Sequence, residues 1–358
     1  MRPRQGVLIA SLCLASTGFC RAAGTTAAPF LDIPVGAGPA ALGAAYSALA
    51  ANAYAPTWNP AGLGVLPELE VAAQHVSYVQ NTHYEYLSAG MPLPPRRACD
   101  GKFWCGPAAV GSAIQYFGSG DIAGLDQFGN PTGDYSTHFA AYNVSYGQGF
   151  GDKLSVGVTG KWINAALAGV SANAFALDMG SLYRYRHDLQ FAATLMNAGT
   201  SLTFLNQGDP LPLALHLAGA YEPRKDTTLS LEMVVPRGNA PSVRMGAQWL
   251  PIPDVALRMG YRTDALKGLS PVAGFSGGLG VTVWNQELAY AWVPYGDLGD
   301  THYLSFLMRF GETRHDDRHL IRYKPSVRHA PAQEDDGYGT EYEELKDLIN
   351  ESKPGNKR

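Results

Sequence analysis

The chain is poor in charge. Asp, Glu, Lys and Arg supply only 16% of its 358 residues, where soluble domains carry roughly a quarter. With hydrophobic residues at 46% and a net charge of only −4, a disordered chain is excluded, since disorder needs the opposite balance. The 27 basic residues do not outnumber the 31 acidic ones. Without a basic stripe to neutralise phosphates, a nucleic-acid partner is not expected. Long hydrophobic runs are also missing. Beyond the first residues nothing approaches the ~18 consecutive apolar residues of a membrane-spanning helix. Any membrane span must therefore be built from strands.

Cysteine is scarce as well, with four in all, and two of these fall in an N-terminal export signal. Arg2 and Arg4 precede an apolar run from Gly6 to Cys20, and the small residues Ala22, Ala23 and Gly24 follow. That is the order of a secretory signal peptide, expected to span residues 1–23. Cys99 and Cys105 remain, in the Pro-, Gly- and Arg-rich stretch PPRRACDGKFWCGP. An oxidising compartment favours a local disulfide between them. Zinc would need about four ligands, and no matching pair stands nearby. No metal or cofactor site is expected.

What the sequence has in abundance is alternation. Leu154, Val156, Val158 and Trp162 alternate with Ser155, Gly157, Thr159 and Lys161. Val243, Met245, Ala247 and Trp249 alternate with Arg244, Gly246 and Gln248. Leu304, Phe306, Met308 and Phe310 do the same toward the end of this pattern. A period of two marks strands with two chemically different faces. Fourteen such segments are expected, starting near residues 69, 84, 108, 138, 154, 174, 189, 213, 227, 242, 254, 271, 286 and 302.

The connectors divide into two kinds. Those around 149–153, 186–188, 222–226, 250–253 and 283–285 are tight, whereas those around 119–137, 165–173 and 198–212 are long. An even strand count with short turns at one end and long loops at the other is the layout of an outer-membrane barrel. The connector that holds the two cysteines departs from it by being long on the short side. A soluble β-sandwich gives similar strand and turn signals. Against it stand the length of the strands and a polar face of Gly, Ser and Thr with little Lys or Glu. Aromatic residues also gather near strand ends, at Tyr183, Tyr185, Tyr221, Trp249, Tyr261, Tyr290 and Trp292, where interfacial girdles lie. The expected fold is all-β: a transmembrane antiparallel barrel of about fourteen strands over residues 67–310.

Residues 24–66 are of another kind. Gly38 to Ala50, GPAALGAAYSALA, carries no charge and few large side chains, and reads as a short helix. Pro56, Pro60 and Gly62 are expected to stop any helix after it. So smooth a segment suits close packing inside a barrel, as a hatch. After Phe310 the alternation ends and charge runs throughout, so residues 311–358 read as a polar, solvated tail on the periplasmic side.

On the inward phase of the strands the pattern places Lys161, Asp178, Arg184, Glu232, Arg244, Arg258 and Arg309. Charges confined to a lumen are expected to pair with one another and with the hatch, or to serve ligand passage. Gly274-Phe275-Ser276-Gly277-Gly278 matches the G-x-S-x-G nucleophile elbow. An elbow needs a strand-to-helix turn, and here alternation continues through Leu279 to Val283, so no enzyme is expected. The glycines are read instead as places where the hatch backbone comes close to a strand. The loop 118–137, with Ile122, Leu125 and Phe128, would face the exterior.

Four stretches carry a family resemblance: GAGPAALGAAYSALAANAYAPTWNPAGL (36–63); LSVGVTGKWI (154–163) with ALDMGSLYRY (176–185); LPLALHLAGAYEP (211–223) with ALRMGYRTD (256–264); and ELAYAWVPYGDLGDTHYLSFLMRF (287–310). Through them the chain resembles the PorV/PorQ family of outer-membrane proteins, distant relatives of the FadL transporters. The resemblance implies a fourteen-stranded barrel in the bacterial outer membrane with an N-terminal hatch folded into its lumen. It puts the Asn-Pro-Ala motif of that hatch at Asn59, Pro60 and Ala61, followed by Gly62. It implies a role in type IX-like protein secretion or surface attachment, with secreted cargo or attachment-complex subunits as partners. The FadL branch implies the alternative, a channel for hydrophobic small molecules. Phe310 looks like the terminal aromatic read by the barrel assembly machinery, although a tail follows it. Outer-membrane lipid would surround the wall.

Overall fold

A computed structural model describes residues 26–78, 82–94, 106–120, 122–167, 169–264, 271–295 and 299–311. The expected signal peptide, the Cys99–Cys105 disulfide and the tail beyond Gly311 lie outside the described residues. Strands β1 (Leu69–Ser77), β2 (Thr82–Pro92) and β3 (Ala108–Ser119) lead into a small hairpin of β4 (Ile122–Leu125) and β5 (Pro131–Tyr135). The chain returns through β6 (Thr137–Phe150), β7 (Leu154–Leu167), β8 (Val170–Arg186) and β9 (Leu189–Gly199). A second hairpin joins β10 (Ser201–Phe204) to β11 (Gln207–Pro210). Then come β12 (Ala214–Arg224), β13 (Thr227–Pro236), β14 (Ser242–Ile252) and β15 (Val255–Arg262). The final strands are β16 (Phe275–Val283), β17 (Gln286–Pro294) and β18 (Asp300–Phe310).

Without the two hairpins, these strands close into one fourteen-stranded antiparallel barrel. The seam is β1 on β18, in register from Leu69↔Phe310 to Ser77↔His302. Closure removes the edges that an open sheet would leave unpaired, which lipid cannot satisfy. Twelve wall strands start within two residues of their expected positions; β8 and β16 are each displaced by four, to Val170 and Phe275. The expected long loop at 165–173 is instead a tight connection, with Leu167↔Val170 and Ala165↔Ala172 already paired. Ala and Asn carry the alternation there, too small or too polar to give the apolar contrast that marks a strand.

Tight connections at 150–154, 186–189, 224–227, 252–255 and 283–286 share one end of the barrel with the exit of the chain at Phe310. On the outer-membrane layout expected from the sequence, that end would be periplasmic and the end with both hairpins extracellular. Neighbouring residues on one strand show the two faces plainly. Leu231 is 55% exposed on the outside, and Glu232 beside it is 0% exposed on the inside. Tyr183, Tyr185, Tyr221, Trp249, Tyr290 and Trp292 all stand exposed on the outer face. Tyr261 is half-buried, with its ring edge-on to Phe275 at 4.8 Å.

The N-terminal segment fills the lumen, and every residue from Pro34 to Leu66 is buried. Its helical content differs from expectation. α1 spans only Ala37–Ala41, because Gly43 and Ala44 take left-handed conformations (φ 63° and 60°) and turn the chain. The prolines expected to stop helices start them: Pro56 lies in the first turn of α2 (Ala55–Trp58), and Pro60 opens a 3-10 turn to Val65. A proline at a helix start gives up an N–H that has no partner there anyway. No helix among the described residues is long and apolar enough to cross a membrane.

Candidate functional site: a plugged lumen and its mouth

A segment with so little regular structure leaves many backbone groups to be satisfied in the interior. The inner face of the wall supplies the partners. Glu232 accepts from the Ser47 backbone N–H and from the Ser47 hydroxyl, both at 2.9 Å. Glu70 accepts from Ala53 N–H at 3.0 Å, and Ser88 donates to the Ala53 carbonyl at 2.7 Å. Ser305 accepts from Ala37 N–H at 3.0 Å, while Gln74 accepts from Gly36 N–H. Gln190 donates to the Ala48 carbonyl and Thr159 to that of Pro56. Ser276, the serine of the elbow-like motif, donates to Ala41 O and accepts from Gly43 N–H at 3.0 and 3.1 Å. It is a hatch anchor.

The wall comes closest to the hatch where strands carry glycine. A Cβ on Gly260 would lie 1.9 Å from Gly43 N, and one on Gly157 would lie 2.3 Å from the Pro60 carbonyl carbon. Asn59 ties the hatch to itself and to the wall. Its Oδ1 accepts from Ala61 N–H at 3.0 Å, and its Nδ2 donates to Ser47 O at 2.9 Å and to Ser181 O of β8 at 3.2 Å. Pro60, Ala61 and Gly62 follow as the buried turn that these bonds fix.

Six of the seven charges expected in the lumen are enclosed there and paired. Lys161 meets Asp178 at 2.7 Å, and Asp178 also accepts from Asn197 N–H at 2.7 Å. Glu232 contacts His216 at 2.6 Å. Arg258 and Arg309 share Glu287 at 2.7 and 3.3 Å, beside Glu70. Arg244 meets Asp264 at 3.3 Å. Arg184 lies instead at the periplasmic rim, half-buried and bonded to Asp152 O at 3.2 Å. The partners Glu70, Gln74, Gln190, His216, Asp264 and Glu287 were not singled out in the sequence. An inward phase on an alternating strand is the signal that marks most of them.

At the extracellular end the lumen opens on aromatic rings. Phe30 of the hatch packs on Phe139 at 5.6 Å, Phe139 on Phe117 at 6.4 Å and Phe117 on Tyr78 at 6.2 Å. Tyr78 then packs edge-on to Tyr295 at 5.6 Å. Arg262, at the same end of the barrel, is bonded to Asp264 at 2.6 Å. Burial works against the Asp264 carboxylate, but Arg262 and Arg244 beside it hold its carboxyl below the usual carboxylate range. The segment before the hatch is clamped here too, through Ala27 N–H to Pro210 O of the second hairpin at 2.9 Å. At the periplasmic end a narrow cleft between α1 and β14–β18 is lined by Arg258, Glu287 and Arg309.

No protein-family model and no curated protein matches the chain. Solved structures do. The toluene transporter TbuX of Ralstonia pickettii aligns over 77% of this chain and 98% of its own, at 13% identity and a TM-score of 0.53. The monoaromatic hydrocarbon channel CymD aligns over 79% and 99%, at 13% identity and a TM-score of 0.52. The toluene transporter TodX of P. putida aligns over 73% and 95%, at 12% identity and a TM-score of 0.50. At such identities the likeness is one of fold, a closed antiparallel β-barrel.

Proposed function

We propose that the protein is a non-enzymatic outer-membrane channel for hydrophobic small molecules. The observation that carries this reading is the aromatic mouth of Phe30, Tyr78, Phe117, Phe139 and Tyr295. Apolar rings desolvate a neutral solute at no polar cost, and a partly apolar entrance is what a greasy ligand needs. The fold shared with toluene transporters supports the same reading. Because the hatch fills the lumen, passage requires it to shift, and its hydrogen bonds to the wall set how readily it does. The secretion role implied by the PorV/PorQ resemblance has no comparable support. None of the solved structures named above is a secretion component.

The test is uptake of radiolabelled toluene by cells with and without the protein in their outer membrane. The expected result is faster uptake with it, and a fall of about tenfold when Phe139→Asp sets a charge among the rings. Equal uptake with and without the protein would remove the proposal. We also place Phe310 in the assembly signal. It ends β18 opposite Leu69 and is exposed on the outer face. Phe310→Ala should lower the folded, membrane-inserted fraction, read by the shift between heated and unheated protein on a gel. Normal insertion would show that the tail, or another residue, carries the signal.

A further inference from the structure

The aromatic arc at the mouth has two chemically different ends. Phe30, Phe139 and Phe117 are purely apolar, whereas Tyr78 and Tyr295 carry hydroxyls. Backbone bonds fix both tyrosines, from Tyr78 N–H to Thr82 O at 3.0 Å and from Tyr295 N–H to Gly299 O at 2.8 Å. Tyr78 follows β1 and Tyr295 follows β17, and β18 runs between those strands. The inward residues of β18 at this end are Thr301 and Tyr303, both 0% exposed. Register sets Tyr303 beside Val76, two residues before Tyr78, and Thr301 beside Val293, two residues before Tyr295. Residues two apart share a face, so these four side chains belong to one patch of the inner wall.

Two hydroxyls of this patch are left open. Neither Thr301 Oγ1 nor Tyr303 Oη makes a well-formed hydrogen bond among the described residues, although the Tyr295 hydroxyl lies against that of Tyr303. Ser305, the next inward residue of β18, shows the contrast, since it holds Ala37 N–H of the hatch at 3.0 Å. Buried polar groups are nearly always bonded. Two open hydroxyls at successive inward positions therefore call for a partner from outside the chain.

The chemistry of the patch limits that partner. Burial, with the Tyr295 hydroxyl beside it, pushes the pKa of the Tyr78 hydroxyl up, so it stays a neutral donor. Arg262 is close enough to act on Tyr78, but its guanidinium is committed to Asp264 through bonds of 2.6 and 3.1 Å. An anion would meet the Asp264 carboxylate together with that guanidinium. Hydroxyls both donate and accept, which suits a neutral oxygen. The half-buried rings of Phe117 and Phe139, next along the arc from Tyr78, suit an aromatic ring.

We propose that the mouth selects monoaromatic compounds carrying one neutral oxygen substituent, such as phenols, over bare hydrocarbons. The ring packs along Phe117 and Phe139, and the oxygen exchanges hydrogen bonds with Tyr303 and Thr301 between Tyr78 and Tyr295. This inference rests on the reading of the protein as a channel for hydrophobic small molecules and narrows the class of solute.

Isothermal titration calorimetry on the purified protein tests it, with p-cresol and toluene as probes, since they differ by one hydroxyl. The wild type should bind p-cresol at least about tenfold more tightly than toluene. Tyr303→Phe with Thr301→Val removes both hydroxyls at nearly constant shape and should bring that ratio close to one, with barrel formation confirmed by gel shift on heating. Equal binding of the two probes by the wild type would overturn the proposal and assign the patch to water alone, while the channel reading would stand. An unchanged ratio in the double variant, or benzoate bound more tightly than p-cresol, would overturn it as well. Binding of neither probe would remove the channel reading along with it.

Discussion

The two faces of the barrel wall obey different rules, although they are made by alternate residues of the same strands. Outside, Leu231, Met245 and Trp249 stand exposed on the membrane side, where many apolar side chains would serve equally. Inside, Glu232, Arg244 and Gln248 are nearly or fully buried, and Glu232 and Arg244 have named partners fixed by register. The outer face needs only a kind of residue, whereas the inner face needs particular residues at particular places. An irregular hatch can be buried because the wall completes the hydrogen bonds that the hatch leaves open.

This contrast breaks first at the Lys161–Asp178 pair. Asp178→Ala leaves a fully enclosed ammonium without its carboxylate, and removing one partner of such a pair costs about 3–5 kcal/mol. The expected outcome is a lower unfolding midpoint in denaturant for the reconstituted barrel, largely restored when Lys161→Met is added. Failure of the second change to restore the midpoint would mean that the pair is not the source of the loss. A smaller effect is expected on the outer face. Leu231→Lys sets a charge toward lipid and should cost up to about 2–4 kcal/mol at mid-membrane, whereas Leu231→Met should cost below about 1.5 kcal/mol. Equal effects of the two would contradict the assignment of that face to the membrane.

The smallest of the three effects is expected at Asn59, because its bonds hold the hatch rather than the wall. Asn59→Ala strands the Ala61 N–H and the Ser47 and Ser181 carbonyls, at about 1–3 kcal/mol for a buried group left unpaired. The change should loosen the hatch while the barrel keeps its heat-dependent gel shift. It should therefore raise the leak of small solutes into liposomes. A variant as tight as the wild type would show that Asn59 does not hold the plug.

Much of the wall was legible in the sequence because period-two alternation survives wherever the two faces differ strongly. It failed at 165–173, where Ala165, Ala166 and Asn164 continue the strand without apolar contrast. The inward charges were legible for the same reason, since Lys161, Asp178, Glu232, Arg244, Arg258 and Arg309 fall on one phase. Their pairing was not. His216 reaches Glu232, and Glu287 reaches Arg258 and Arg309, through strand register that no local pattern carries. The hatch was legible as a smooth segment, but its helices were misplaced. Residues 38–50 favour helix by alanine content, yet the wall rewards a chain that turns at Gly43 and Ala44 and presents its backbone to side chains. The aromatic mouth was invisible because Phe30, Tyr78, Phe117, Phe139 and Tyr295 come from separate parts of the chain.

The central claim is that the side chains of the wall hold the backbone of the hatch. Amide hydrogen exchange on the folded barrel, read residue by residue, tests it most directly. The N–H groups of Ala37, Gly43, Ser47 and Ala53, each bonded to a side chain of the wall, should exchange as slowly as those of the neighbouring strands. Exchange of these amides at the rate of an open loop, beside protected strands, would contradict it.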